Sequence, residues 1–213
     1  MSMKQLVTIF TLTLMAGAVY AAPTKIKAIA DGAPLSPAYE FMVTNGTLGI
    51  YSAPQSFRTF CLEAGETFTN GVTYFAVINT AAVKGGTGSS DPLDPRTAYL
   101  YTQYMAGAYG YGFDTENALQ EVIHYIEGER SALSTDEVWS EKAETYLKYA
   151  NKSGWTTIGN VRVVNLWTNY DEKTNTFSGF AQDQLVLVPA PGALLLASIG
   201  MAIVGGLRRR QSV

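Results

Sequence analysis

The chain has 213 residues, 47% of them hydrophobic and 15% charged, and a formal net charge of −3 at neutral pH. That balance gives no basic footprint and excludes nucleic acid as a partner. One cysteine, Cys61, and one histidine, His124, exclude an internal disulfide and a His/Cys zinc site.

The first 21 residues read as a secretory signal. Lys4 is the lone basic residue of the n-region, residues 6–17 form an apolar h-region, and Val19-Tyr20-Ala21 supplies a cleavage site. The mature chain is expected to start at Ala22, with Met3 as an alternative initiator. Residues 22–187 then make one domain, long enough to bury a core without disulfide staples. Residues 25–30, 40–44, 47–51, 57–63 and 73–79 are short, rich in β-branched or aromatic residues, and separated by Gly, Pro and Asn, which predicts strands. Gly85-Gly86-Thr87-Gly88-Ser89-Ser90 reads as a flexible loop. No Gly-Lys-Ser/Thr follows it, so it is not a phosphate loop.

From Asp94 the pattern turns helical. Asp94 serves as cap and Pro95 as first helical residue, followed by Tyr99, Leu100, Tyr104 and Met105 at helical spacing. A second helix is expected from Asp114, with Leu119, Val122, Ile123 and Ile126 on one stripe. A third is expected from Ser134, with Glu137 completing a capping box, ending near Gly154. Residues 161–168 and 184–188 return to strand character. Strands, then about three helices, then strands point to an α+β fold: a sheet or barrel-like core with an inserted helical block.

The tail, residues 188–213, departs from the rest. Pro189-Ala190-Pro191 precedes an apolar run over 192–207, closed by Arg208-Arg209-Arg210. The run spans about 24–27 Å as a helix, close to the roughly 30 Å of a bilayer core. The arginines belong on the cytoplasmic side. This arrangement resembles the PEP-CTERM sorting tail, with Pro-Ala-Pro standing where the family usually has Pro-Glu-Pro. The resemblance implies export across the inner membrane of a Gram-negative bacterium, a transmembrane sorting helix, and processing by an exosortase-like protease. The protein would then be delivered to the cell surface or extracellular matrix. Removing Lys4 and the three tail arginines leaves about 11 basic residues against 18 acidic, a net charge of about −7 for the exported domain.

On residue type alone, Cys61 reads as a small buried hydrophobe. Its setting, Phe60-Cys61-Leu62-Glu63, and the helix segment Leu119-Gln120-Glu121-Val122-Ile123-His124 together resemble the paired motifs of bacterial thioester domains. The stretch Asp91-Pro92-Leu93-Asp94-Pro95-Arg96-Thr97-Ala98-Tyr99-Leu100-Tyr101 resembles the segment that precedes the glutamine motif in that family. The resemblance covers residues 57–129. It implies an internal thioester between Cys61 and Gln120, opened by an amine or hydroxyl on a neighbouring surface, with His124 one helical turn from Gln120 as a proton carrier. The chain would be its own substrate and not a turnover enzyme.

The remaining candidates read as structural. Tyr99, Tyr101, Tyr104, Tyr109 and Tyr111 suit a helix packed on the sheet. Asp91 and Asp94 lack the regular spacing of a calcium loop. Glu121, Glu127 and Glu129 read as a solvated helix face. No metal or cofactor is expected. The expected partners are the membrane during sorting, the exosortase-like protease, and a surface or matrix amine, hydroxyl or exopolysaccharide. The alternative is a non-catalytic structural or carbohydrate-binding protein of an exopolysaccharide matrix or biofilm.

Overall fold

The computed structural model describes residues 23–29, 38–84 and 90–188. The signal segment and the sorting tail from Pro189 to Arg210, with its expected transmembrane helix, lie outside the described residues. Among those described, no helix is long and apolar enough to cross a membrane.

The α+β expectation holds. Six antiparallel strands form the main sheet: β1 (Thr24–Ile29), β2 (Tyr39–Asn45), β5 (Ser56–Thr59), β6 (Thr73–Asn79), β9 (Val161–Asp171) and β10 (Thr176–Leu187). Their order across the sheet is β10-β9-β6-β1-β2-β5. Alternation fixes the register, because a slip of one residue would turn every apolar side chain to the wrong face. Ile26 and Ala28 of β1 stand opposite Val43 and Phe41 of β2, and all four are buried.

The sheet curls until its two edges meet. The residues after β5 pair back onto β10: Leu62 N–H donates to Asp183 O (3.1 Å), Leu185 N–H to Phe60 O (3.3 Å), and Cys61 stands opposite Gln184 in an antiparallel bridge. Thr59 Oγ1 also donates to Leu185 O at 2.7 Å. The inner face of the curled sheet holds Ile26, Phe41, Val43, Leu48, Phe57, Leu166 and Val186. Three helices cover the outer face at the seam: α1 (Pro95–Met105), α2 (Phe113–Ile126) and α3 (Ser140–Lys152). Phe60, Leu62, Val163 and Leu185 pack there against Leu100, Tyr101, Leu119 and Ile123. Side chains alternate along an extended chain. With Phe60 and Leu62 turned to the helices, Cys61 between them turns inward.

The Asp94 cap is present, its side chain accepting from Arg96 N–H at 2.8 Å. Other boundaries differ from expectation for physical reasons. The strand expected over 47–51 is a hairpin, β3 (Thr47–Leu48) and β4 (Tyr51–Ser52), because Gly49 turns the chain at φ +60°. Two short strands, β7 (Ala81–Ala82) and β8 (Asp91–Pro92), flank the glycine loop. The third helix starts at Ser140 rather than Ser134. Ser134 N–H is taken by the Glu121 carboxylate instead of starting a capping box, and Glu121 also accepts from Trp139 Nε1 at 2.8 Å. Strand β10 begins eight residues before the expected Gln184.

Gly49 rests on the end of β10. A Cβ there would collide with the Leu187 carbonyl oxygen, and the positive φ adds backbone strain. Gly49→Ala is therefore expected to destabilise the chain by more than about 2 kcal/mol in urea unfolding. A change below about 0.5 kcal/mol would contradict the packing of this hairpin on the sheet.

Candidate functional site

Cys61 sits at the seam where the sheet closes, 3% exposed and not in a disulfide. Three glutamines surround it. Gln120, on α2, reaches in from the helical side and grips the Cys61 main chain at two points. Its Oε1 accepts the Cys61 N–H (3.0 Å) and its Nε2 donates to Cys61 O (2.8 Å). This replaces the strand partner that the backbone lacks on that side, so buried peptide groups stay satisfied. Structure thus brings Cys61 and Gln120 together as the motifs imply, but through the cysteine's backbone.

The sulfur faces β10. Cys61 Sγ donates to Gln182 Oε1 at 2.9 Å. It also lies 3.8 Å from Oε1 and 3.4 Å from Nε2 of Gln184, which is fully buried. Gln182 is further held by its Nε2, which donates to Glu63 O at 2.5 Å. Burial pushes the thiol pKa up to about 12, the Gln184 hydrogen bond opposes the rise, and the Glu63 charge adds to it.

His124 lies one turn beyond Gln120, with its Nε2 2.9 Å from Gln120 Nε2. An amide nitrogen only donates, so His124 Nε2 accepts and the ring proton belongs on Nδ1. Burial, with Arg130 nearby, lowers the His124 pKa to about 4, so the ring is neutral at physiological pH as this contact requires. Its Nδ1 is buried without a partner among the described residues. His124 therefore orients the Gln120 amide, and its side-chain hydrogen bond goes to that amide rather than to the sulfur.

A cleft of about 270 Å³ is lined by Tyr39, Glu66, Thr67, Phe68, Asn70 and Gln182. The Tyr39 ring stands edge-on to Phe68 at 4.6 Å. Gln182 belongs both to this cleft and to the sulfur's surroundings.

The glutamines of β10 were not among the sequence candidates. Gln182 and Gln184 are two residues apart in a strand, which puts two amides on one face, and that spacing was the available signal. The acidic residues in α2 and at its C-terminal cap also differ from expectation. Glu121 is 5% exposed and Glu127 is 8% exposed, so they are not a solvated face. Burial pushes Glu127 up to about 7. Among the described residues no group of three His, Cys, Asp or Glu side chains is placed to hold a metal ion.

No protein-family model matches the chain, and a search of curated proteins finds no match. Among solved structures, the chain is similar to the N-terminal thioester domain of a surface protein from Clostridium perfringens. The TM-score is 0.48 at 12% identity, covering 77% of this chain and 97% of that one. A cysteine-to-alanine mutant of that domain gives a TM-score of 0.46 at 11% identity, covering 76% and 97%.

Gln120→Ala would leave two buried peptide groups of Cys61 without partners, at about 1–3 kcal/mol each. The expected result is a loss of about 2–6 kcal/mol in urea unfolding. An unchanged midpoint would contradict the two-point clamp.

Proposed function

We propose that this is an exported surface domain that stores an acyl electrophile as an internal thioester between Cys61 and Gln184. It would discharge that electrophile onto an amine or hydroxyl of a neighbouring surface or matrix polymer. One observation carries the reading: the only thiol in the chain is sealed against the Gln184 side chain, within reach of both amide atoms.

The chemistry balances without a cofactor. Cys61 Sγ attacks the Gln184 side-chain carbonyl carbon, the S–C bond forms, and the C–N bond breaks. The thiol proton goes to the departing nitrogen, which leaves as ammonia. On discharge, the nucleophile's nitrogen or oxygen bonds to the same carbon and the S–C bond breaks. The nucleophile's proton returns to sulfur. The result is an amide or ester to the target and a free Cys61. Each molecule reacts once, so this is not turnover catalysis.

Three features favour Gln184 as acyl donor over Gln120, the partner implied by the sequence motifs. Both polar atoms of the Gln120 amide are engaged by the Cys61 backbone, and His124 contacts its nitrogen. Gln182 Oε1 accepts the thiol hydrogen bond, whereas Gln184 Nε2 donates to the sulfur itself. Gln184 stands directly opposite Cys61, and the sulfur lies beside its carbonyl carbon, between contacts to oxygen and nitrogen.

Magnitudes explain why a buried thiol suits this role. With its pKa near 12, the fraction present as thiolate at neutral pH is on the order of 10⁻⁵. Attack on a diffusing electrophile is suppressed accordingly. Attack on a fixed neighbour is not limited in the same way, because effective molarities reach about 10⁵–10⁸ M in well-oriented pairs. The cleft beside Gln182 supplies the approach for the external nucleophile.

The signal segment and the Pro189-Ala190-Pro191 to Arg208-Arg209-Arg210 tail support delivery to the cell surface or matrix through an exosortase-like protease. There, polymer amines and hydroxyls are available. The test is intact mass after exposure to methylamine. The purified chain should be about 17 Da lighter than its sequence, and methylamine should add about 31 Da to that species. Gln184→Ala should abolish both changes. Gln120→Ala and Gln182→Ala should slow them while leaving them detectable. Loss of both changes in Gln120→Ala alone, with Gln184→Ala behaving as wild type, would return the acyl donor to Gln120.

A further inference from the structure

Next to the thiol lies a pair of carboxyl groups that the chemistry above does not use. Glu63 follows Cys61 by two residues and Asp183 lies between the two β10 glutamines. They are 2% and 0% exposed. Asp183 Oδ2 accepts from Val83 N–H (2.6 Å) and Asn165 Nδ2 (2.9 Å). Glu63 Oε2 accepts the Asp183 N–H at 2.7 Å. The other two oxygens, Glu63 Oε1 and Asp183 Oδ1, are buried with no donor among the described residues. The Glu63 Oε2 bond to the Asp183 N–H makes the two buried carboxyl groups neighbours. Two carboxylates hold only acceptors, so such neighbours attract each other only with a proton between them.

We propose that Glu63 and Asp183 share one proton and act as positioning residues, a clasp that holds the 61–63 segment against 182–184 and so keeps the sulfur on its glutamines. The proposal rests on the thioester reading for its purpose, although the clasp itself does not need the thioester. The clasp joins the same two segments as the Leu62 N–H to Asp183 O bond and the Gln182 Nε2 to Glu63 O bond. With the proton present, these three contacts act together. Without it, two like charges face each other inside the protein, and the seam is pushed apart.

Surrounding groups do not neutralise the pair. Burial first, then the neighbouring carboxyl, raises Glu63 above the ordinary carboxylate range, and burial raises Asp183. The Lys84 N–H faces Glu63, but the Lys84 ammonium lies 3.6 Å from Glu66 and over the Phe180 ring. From β9 the pair meets Asn165 and the Leu166 backbone, and from its own segment Cys61, which stays protonated. Because folding raises the pair's affinity for its proton, the stabilisation is complete below the ordinary carboxylate range. It is lost as pH rises through the pair's own raised value.

Hydrogen exchange on the full-length chain tests this in a Cys61→Ala background, where no thioester can form and the outcome is independent of that reading. The probes are the Leu62, Asp183 and Leu185 amides, corrected for intrinsic exchange. Their protection should fall about tenfold per pH unit between the ordinary carboxylate range and the pair's raised value, and level off once the shared proton is lost. Adding Glu63→Gln supplies an amide hydrogen to Asp183 that cannot ionise, so protection should become flat with pH. Asp183→Asn should flatten it likewise and serves if the first variant folds poorly. Equal pH dependence with and without Glu63→Gln, or a flat profile in Cys61→Ala alone, would overturn the clasp. Infrared spectra give a second readout: the protonated carboxyl band at neutral pH should be weaker in both variants than in the wild-type chain, with the share of Glu127 remaining. An equal band in wild type and variants would also overturn it.

Discussion

The closure of the sheet between residues 60–63 and β10 is the constraint on which the rest of the structure depends. It joins parts of the chain more than 120 residues apart: Thr59 to Leu185 and Cys61 to Gln182. It turns an open sheet with two free edges into a curled one with an enclosed apolar interior, and removes edges that would otherwise invite pairing with other chains. It also places the only thiol of the chain at the junction. The proposed thioester and the fold therefore share one seam.

Amide groups dominate the chemistry there. Three glutamine side chains lie within a few ångströms of Cys61, and all are at least nine-tenths buried. Buried amides carry no charge, so they cost less to enclose than carboxylates or ammonium groups. Each still needs partners. Gln120 finds them in the Cys61 backbone and His124, and Gln182 in the thiol and Glu63 O. These mutually satisfied contacts fix orientation in a low-dielectric site, where a misplaced polar group would be expensive. The neutral state of His124 follows the same logic, since a charged ring could not accept from the Gln120 amide.

Local signals carried much of the fold. The β-branched segments over 40–44 and 73–79, the Asp94-Pro95 helix start and the apolar stripe of α2 are local rules that tertiary structure kept. The meeting of Cys61 with α2 was legible through its paired motifs. Two features were not. Gln182 and Asp183 precede the strand expected from residue 184, yet they continue β10 because Cys61 and Glu63 meet them across the seam. Ser134 and Glu137 carry a capping pattern, yet a distant side chain, Glu121, claims the Ser134 N–H first. In both cases the deciding partner is far away in sequence, where no local pattern records it.

The central claim is that the sulfur of Cys61 and the side chain of Gln184 become one covalent unit. Peptide mapping of the natively purified chain, digested under acidic conditions that preserve thioesters, tests it most directly. The account predicts a peptide containing Cys61 joined to one containing Gln184, lighter than the two together by the mass of one ammonia. Unlinked peptides with an alkylatable Cys61 thiol and an intact Gln184 amide would contradict it.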